Sequence, residues 1–145
     1  RPGPGYGEGR RTLVAGRMKN RTGTINRKLP ARTKAELVDA TTHYHVLDLF
    51  THTSFVEVEI ETGRKHQIRQ HLKFIGHPLV LDSLYGDPRV DRAFKRRYKF
   101  RRFFLHAAKL SFPHPITGNV LTVMAPLPAA FDRVIHQLRA DRGGK

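Results

Sequence analysis

Apolar and polar residues alternate with a period of two along residues 41–50 and again along residues 54–61. In the second stretch Val56, Val58 and Ile60 alternate with acidic residues, which is typical of an antiparallel strand with one buried face. The three residues that separate the two stretches are few enough for a tight turn. We therefore predict that these stretches form a β-hairpin.

Shorter apolar runs predict further strands. Residues 12–15 and residues 22–26 would form a hairpin through the polar residues between them. Residues 103–112 and 120–124 flank a turn sequence at 114–118, and they would form another hairpin. The predicted strands are thus paired with their neighbours along the chain.

Helical spacing appears in three segments. Ile68, Leu72 and Ile75 predict one helix, residues 90–98 predict a second, and residues 130–140 predict a third. The helices do not alternate with the strands as they do in βαβ units. We therefore predict an α+β fold, with a mainly antiparallel or mixed sheet flanked by a few helices.

The 145 residues suit one domain. Residues 1–9 are rich in Gly and Pro, which disfavour regular structure, and we predict a flexible tail or linker there. Residues 141–145 are predicted to form a short flexible basic tail. The domain would then cover residues 10–140.

The chain is strongly basic, with 27 Lys and Arg against 12 Asp and Glu and a net charge of +15. This charge predicts a polyanionic partner, most simply RNA. The chain has no Cys, which excludes disulfides, Cys-ligated zinc and a thiol nucleophile. No apolar run is long enough for a membrane-spanning helix, so no membrane partner is expected.

One segment combines several chemistry-bearing residues at close spacing. Residues 61–72 read Glu-Thr-Gly-Arg-Lys-His-Gln-Ile-Arg-Gln-His-Leu. Gly-His-Pro-Leu-Val-Leu-Asp follows at 76–82 and Leu-Tyr-Gly at 84–86. Together these runs resemble the third motif of the RluA-type RNA pseudouridine synthases.

Segments on either side resemble the same family, in the order that the family has. Upstream, Thr-His-Tyr-His-Val-Leu at 42–47 resembles one of its strands. Downstream, Leu-His-Ala at 105–107, His-Pro-Ile-Thr-Gly at 114–118 and Ala-Pro-Leu-Pro at 125–128 resemble its C-terminal end. The resemblance covers most of the chain and implies the C-terminal part of the family's catalytic domain.

The resemblance implies an isomerase that converts uridine to pseudouridine in structured RNA, with ribosomal RNA expected, and that needs no cofactor or metal. It assigns Arg69 the role of pairing with the catalytic Asp, which lies in an Arg-Leu-Asp motif in the family. These 145 residues contain no Arg-Leu-Asp, and Arg10 stands where the family has a Tyr that packs on the target base. The chain as it stands is therefore expected to be inactive.

Besides a generic basic nucleic-acid-binding domain whose motif matches are accidental, two interpretations stay open at this point. The chain could be the RNA-binding portion of an active synthase. Alternatively, it could be a catalytically inactive relative that serves as an RNA-binding scaffold, for example in the assembly of a pre-ribosomal particle. Either reading fits a bacterial cytoplasm or a mitochondrial or other organelle matrix, and neither fixes the oligomeric state.

Two groups of residues are predicted to contact RNA. The first lies at the start of the predicted first helix, where free backbone amides and basic side chains attract phosphate. The second is a basic run interleaved with aromatic residues, a pattern typical of nucleic-acid contacts, although a charge run is also typical of a solvated face. The predicted contacts are Arg64, Lys65, His66, Gln67, Lys95, Arg96, Arg97, Lys99, Arg101 and Arg102.

Other polar clusters are assigned structural roles. Glu57, Glu59 and Glu61 alternate along one strand and are expected to form a solvated face with basic partners. The histidines are not accompanied by carboxylates at ligand spacing, so no metal site is predicted. Asp82 and Tyr85 are expected to form structural hydrogen bonds in a turn-rich loop.

Overall fold

The computed structural model describes residues 7–31 and 36–144. The strands and helices, in chain order, are β1 (Gly7–Ala15), β2 (Thr22–Asn26), β3 (Leu29–Pro30), β4 (Leu37–Val38), β5 (Thr41–Leu49), β6 (Thr53–Ile60), α1 (Gln67–Phe74), α2 (Pro88–Tyr98), β7 (Leu105–Pro113), β8 (Val120–Met124) and α3 (Ala129–Gly144). The predicted α+β fold is confirmed. None of the described helices is both long and apolar enough to cross a membrane.

Six strands form one antiparallel sheet in the order β2-β5-β6-β1-β7-β8, and β3 pairs with β4 separately. The predicted β5–β6 hairpin is confirmed, and its turn is closed by a hydrogen bond from the Phe50 amide to the Thr53 carbonyl of 2.9 Å. The predicted β7–β8 hairpin is also confirmed.

The predicted hairpin between β1 and β2 is wrong. β1 lies inside the sheet between β6 and β7, whereas β2 forms one edge and pairs with β5. Burial explains this arrangement, because Leu13 and Val14 are both fully buried although they point to opposite faces of the sheet. In β2 only Ile25 is buried, which suits an edge strand.

The predicted tails are shorter than expected at both ends of the domain. β1 begins at Gly7, because its extended backbone pairs with β6 on one side and β7 on the other. α3 continues to Gly144, and Asp141 in its last turns accepts hydrogen bonds from Arg97 and Tyr98. The rest of the two predicted tails, residues 1–6 and residue 145, lies outside the described residues.

The sheet separates two hydrophobic clusters. On one face, Val14, Val46, Val56 and Val58 pack against α1. The other cluster includes residues of α2 and α3 and a group of aromatic rings, in which Phe104 stacks on Phe131 with ring centroids 4.1 Å apart. The apolar stripes predicted for the first and last helices are confirmed, since they supply Ile68 and Leu72 to one cluster and Phe131, Val134, Ile135 and Leu138 to the other.

We predict that Phe104→Ala lowers the free energy of unfolding by about 3–5 kcal/mol, because it removes a fully buried ring from the aromatic cluster. Urea denaturation followed by circular dichroism measures this loss. Ile116→Ala is the control, since Ile116 is 88% exposed and its truncation leaves no cavity. Equal losses for the two variants would contradict this account of the core.

Candidate functional site

The connection between β6 and α1 carries the first group of predicted RNA contacts. The sequence predicts Arg64, Lys65 and His66 in the first turn of the helix. α1 instead begins at Gln67, so these three residues precede its first turn. His66 occupies the N-cap position with φ of 53°, in the left-handed region. Arg64 and Lys65 remain at the surface of this turn, and Arg64 Nε donates to the Asp39 carbonyl over 2.8 Å.

Gln67 anchors α1 to the sheet. Its Oε1 accepts hydrogen bonds from the Thr62 hydroxyl over 2.6 Å and from the Arg64 amide over 3.2 Å. Its Nε2 donates to the Thr41 carbonyl and to the Thr42 hydroxyl. The side chain is buried and its hydrogen bonds stay inside the chain. A structural role therefore explains Gln67 better than the RNA contact expected from the sequence.

His71 extends the same buried network by one helical turn. Its Nε2 lies 2.9 Å from the Arg27 carbonyl and its Nδ1 lies 2.8 Å from the Thr42 hydroxyl. Because a carbonyl only accepts, Nε2 carries the proton and Nδ1 accepts from Thr42. Burial lowers the pKa of His71, which keeps the imidazole neutral and fits this tautomer.

Arg69 projects from the opposite flank of α1 and forms a two-point ion pair with Asp82. Its Nε donates to Asp82 Oδ2 over 2.8 Å, and its Nη2 donates to Asp82 Oδ1 over 2.7 Å. The Asp82 side chain is fully buried, whereas that of Arg69 is 20% exposed. The guanidinium therefore bridges a buried anion and the surface, and such a pair fixes its orientation.

The Asp82 carboxylate is held by the backbone of its own turn as well as by Arg69. Oδ1 also accepts hydrogen bonds from the amides of Leu84 and Tyr85, over 3.0 and 3.1 Å. Burial by itself raises the pKa of Asp82, but the hydrogen bonds from Arg69 and from the two amides outweigh it and hold the pKa below its ordinary value. Asp82 is therefore an anion at neutral pH.

The residue before Asp82 has an unusual backbone conformation. Leu81 has φ of 66°, in the left-handed region that favours Gly. Here the Leu81 side chain is buried in the core, and its amide donates to Asp91 Oδ1 over 2.8 Å. Packing and this hydrogen bond hold the strained residue in place.

Two aromatic rings flank the Arg69 guanidinium. Arg69 Cζ lies 4.8 Å from the centroid of the Phe103 ring and 5.2 Å from that of Tyr85. The Tyr85 hydroxyl lies 3.2 Å from His66 Nδ1, which joins the turn before α1 to the same site. Within the described part of the chain, Asp82 is the one carboxylate paired with Arg69.

The second group of predicted RNA contacts lies elsewhere, at the end of α2. Arg97 pairs with Asp141, and the neighbouring Tyr98 donates to the same carboxylate over 2.6 Å. Burial, together with that hydrogen bond, raises the pKa of Tyr98 to about 12. Phe100 is buried in the core and Arg102 lies over its ring. The aromatic residues of this run therefore support the fold and do not form an open stacking surface.

Four other cations of this run are exposed to solvent, namely Lys95, Arg96, Lys99 and Arg101. Arg69 does not belong to this basic run; its neighbours are Asp82, Tyr85, Phe103 and His66.

The pairing of Asp82 with Arg69 was not predicted from the sequence. The feature that could have indicated it is the position of Asp82 in the same motif, 13 residues after Arg69.

Arg69 belongs neither to a metal-binding cluster of the described residues nor to the large cavity beside α2 and α3. Among the described residues, no three His, Asp or Glu side chains come together in a way that could hold a metal ion. A cavity of about 900 Å³ lies on the side of α2 and α3, between residues such as Phe50, Phe94 and Leu138. It is lined by one predicted site residue, Arg97, and is separate from the Arg69–Asp82 pair.

Comparisons with known proteins place these motifs in one family. Residues 12–74 match the family model described as RNA pseudouridylate synthase. The ribosomal large subunit pseudouridine synthase C of Vibrio vulnificus is 34% identical over 137 residues, which cover 90% of this chain and 43% of that protein. An uncharacterized RNA pseudouridine synthase of Chloroflexus aurantiacus is 45% identical over 100 residues, which cover 69% of this chain and 30% of that protein.

The fold agrees with these matches. The solved structure of human RNA Pseudouridylate Synthase Domain Containing 4 superimposes with a TM-score of 0.74 over 92% of this chain and 62% of that chain, at 22% identity. The chain spans 43% of the Vibrio vulnificus protein and 30% of the Chloroflexus aurantiacus protein, which is less than half the length of each. The family match contains Arg69 and residues 61–72 of its motif and ends before Asp82, and the relatives extend the similarity to most of the chain. The chain belongs to the RluA-type family of RNA pseudouridine synthases.

Proposed function

We propose that these residues form the RNA-binding and arginine-bearing part of a synthase that converts uridine to pseudouridine in ribosomal RNA. The observation that carries the proposal is the Arg69–Asp82 pair, whose two residues lie in the runs that resemble the third motif of the family. The relative from Vibrio vulnificus and a second relative from Haemophilus ducreyi are both named ribosomal large subunit pseudouridine synthases, and these names support the choice of ribosomal RNA.

The reaction is an isomerisation that leaves the atomic composition of the nucleotide unchanged. The bond between N1 of the base and C1′ of the ribose breaks, the base turns, and C5 bonds to C1′. C5 loses a proton and N1 gains one. By resemblance, an Asp in an Arg-Leu-Asp motif starts this chemistry, and the 145 residues contain no such motif. The nucleophile would come from another part of the synthase fold.

The role of Arg69 would be to hold that nucleophilic carboxylate. A guanidinium has five N–H donors, and Asp82 takes two of them through Nε and Nη2. Among the described residues, no hydrogen bond occupies the edge formed by Nη1 and the second Nη2 hydrogen, so this edge would be available to another carboxylate. Asp82 would act as a positioning residue, because a cation whose orientation is already fixed loses less freedom when it binds the second anion.

The RNA would be held by the surplus of surface cations. Several acidic residues that would repel phosphate are already paired within the chain: Asp48 with Arg139 and Arg142, Asp82 with Arg69, and Asp141 with Arg97. Exposed cations beside α2 and before α1 are therefore left to contact phosphate. This supports RNA contact by Lys65, Lys95, Arg96, Lys99 and Arg101.

We predict that Arg69→Lys abolishes pseudouridine formation while RNA affinity changes little. Lysine keeps the charge but cannot bind Asp82 and a second carboxylate in fixed directions. Pseudouridine is mapped in ribosomal RNA from cells that produce the wild type, the variant or no protein, and RNA affinity is measured by filter binding. The absence of any uridine whose conversion depends on the wild-type protein would contradict the proposed function.

We predict that Asp82→Asn lowers the free energy of unfolding at neutral pH by about 3–5 kcal/mol, because it breaks a buried ion pair. The folded-state pKa of Asp82 lies below 3.8, so its contribution is present above that pH and is lost as the pH falls through the folded-state value. Denaturation at a series of pH values from 7 down into the range below 3.8 should show the wild type losing stability as Asp82 is protonated, whereas the variant lacks this loss.

Asp39→Asn is the matched control for that experiment. Asp39 pairs with Lys28 over 2.7 Å, but both side chains are largely exposed to solvent. An exposed pair contributes little, so this variant should stay close to the wild type at every pH. A pH dependence in Asp82→Asn as steep as that of the wild type would rule out the role given to Asp82.

We predict that Arg96→Gln with Arg101→Gln flattens the dependence of RNA affinity on salt. Each lost phosphate contact reduces the log–log slope by about 0.7 on single strands, so the double variant should change it by roughly 1.4. Arg97→Gln is the control, because Arg97 is engaged by Asp141. A slope that is unchanged in the double variant would place the RNA surface on another part of the domain.

A further inference from the structure

One aromatic ring of the described chain stands at the surface. Phe74 is the last residue of α1 and is 54% exposed, whereas every other Phe and Tyr side chain that the structure describes is buried or half-buried. The apolar contacts of α1 with the sheet are made by Ile68 and Leu72, which belong to the core cluster. Burial in the core therefore does not explain an aromatic residue at position 74.

The Arg27 guanidinium lies over this ring. Arg27 Cζ is 3.7 Å from the centroid of the Phe74 ring, and the next shortest such distance among the described residues is 4.8 Å, for Arg69 over Phe103. A cation over the face of a ring is attracted by the negative charge of that face. Arg27 is itself exposed, so the outer face of its guanidinium is open to solvent. The two side chains form a stacked pair at the surface, the Arg27–Phe74 pair.

The backbone of Arg27 is held from two sides. Its amide donates to the Ala40 carbonyl over 3.2 Å, and its carbonyl accepts a hydrogen bond from His71 Nε2 over 2.9 Å. His71 lies three residues before Phe74, so one turn of α1 carries both the ring and the group that positions the cation. Because the pair is held in place before a ligand arrives, less conformational freedom is lost on binding.

Free positive charge surrounds the pair. Among the described residues, no carboxylate forms an ion pair with Arg27 or with the exposed Lys65. The Lys65 carbonyl accepts a hydrogen bond from Gln70 Nε2 over 2.9 Å, and Gln70 lies four residues before Phe74 on the same flank of α1. An exposed ring with two uncompensated cations on its flank favours a ligand that is both flat and anionic.

We propose that the Arg27–Phe74 pair is a platform on which one unpaired base of the RNA stacks. This inference rests on the proposed function, from which the RNA ligand is taken. Bases of a single strand stack on guanidinium planes and on aromatic rings, because every base has a flat π face. The base lies on the outer face of the Arg27 guanidinium, and Lys65 meets a neighbouring phosphate.

The platform and Arg69 occupy opposite flanks of one short helix. Phe74 follows Arg69 by five residues, which corresponds to about 140° around the helix axis and about 7.5 Å along it. This separation is small enough for one RNA strand to reach both positions. The stacked base is therefore distinct from the uridine that is presented to Arg69. Its role is to hold the strand while that uridine is turned out of it.

Binding of two single-stranded probes to the 145-residue chain tests the platform. One probe is decauridylate, and the other is an abasic ribose-phosphate chain of the same length, which has the same charge but no bases. Phe74→Ala should weaken the binding of decauridylate by at least about fivefold, because the stacking of one base is lost. Binding of the abasic chain should not change. Fluorescence anisotropy of labelled probes measures both affinities.

Arg27→Lys separates stacking from charge. Lysine keeps the positive charge but lacks the planar guanidinium, so the affinity for decauridylate should fall at least about fivefold while its dependence on salt stays the same. Lys65→Gln should instead flatten the log–log salt slope by about 0.7, as expected for one lost phosphate contact. Ile116→Ala is the control, since it truncates an exposed apolar side chain outside α1 and should bind both probes as the wild type does.

Three results would overturn the inference. The first is a wild-type chain that binds decauridylate no more tightly than the abasic chain. The second is unchanged affinity for decauridylate in both Phe74→Ala and Arg27→Lys. The third is an equal loss on the two probes, which would make the pair a phosphate contact and not a platform for a base.

The binding test needs no turnover, so its outcome is separate from that of the proposed function. A loss of affinity that requires bases, in a protein on which no pseudouridine depends, upholds the platform while the proposed function fails. Pseudouridine that depends on the wild-type protein, together with unchanged decauridylate binding in both variants, upholds the proposed function and overturns the platform.

Discussion

The candidate site depends on the burial of one carboxylate. A buried anion is stable only when charged and hydrogen-bonded groups replace water around it, and Asp82 obtains these from Arg69 and from two backbone amides. The turn that carries Asp82 is in turn tied to the central strand β1, since the Val80 amide donates to the Leu13 carbonyl over 2.9 Å. The position of the guanidinium is therefore set by the middle of the sheet, through the segment between α1 and α2.

Much of the fold could be predicted because its signals are local. Period-two alternation predicts β5 and β6, and helical spacing predicts α1 and α3. The place of β1 could not be read from neighbouring residues, because its partners β6 and β7 lie about 40 and 100 residues further along the chain. β3 and β4 have two residues each, too few for any periodic pattern.

A site residue could be predicted from the sequence where it lies in a recognisable motif. The role of a residue was harder to predict where that role depends on its surroundings in the folded chain. The resemblance singled out Arg69, but the pair with Asp82 requires a turn in which Leu81 adopts φ of 66°, and no local rule assigns that conformation to Leu. Gln67 and Phe100 were read as part of RNA-contacting segments because polar and aromatic residues are typical of such surfaces. Burial in the folded chain directs both inward.

The central claim is that Asp82 fixes the Arg69 guanidinium through Nε and Nη2, while no residue that the structure describes binds the Nη1 edge. Nitrogen-15 NMR of arginine side chains tests it most directly, because a guanidinium held at two points rotates slowly. The account predicts separate Hη signals for Arg69, an Hε and one Hη2 protected from exchange with water, and rapid exchange at Nη1. A single averaged Hη signal with an unprotected Hε would show a freely rotating group and contradict the account.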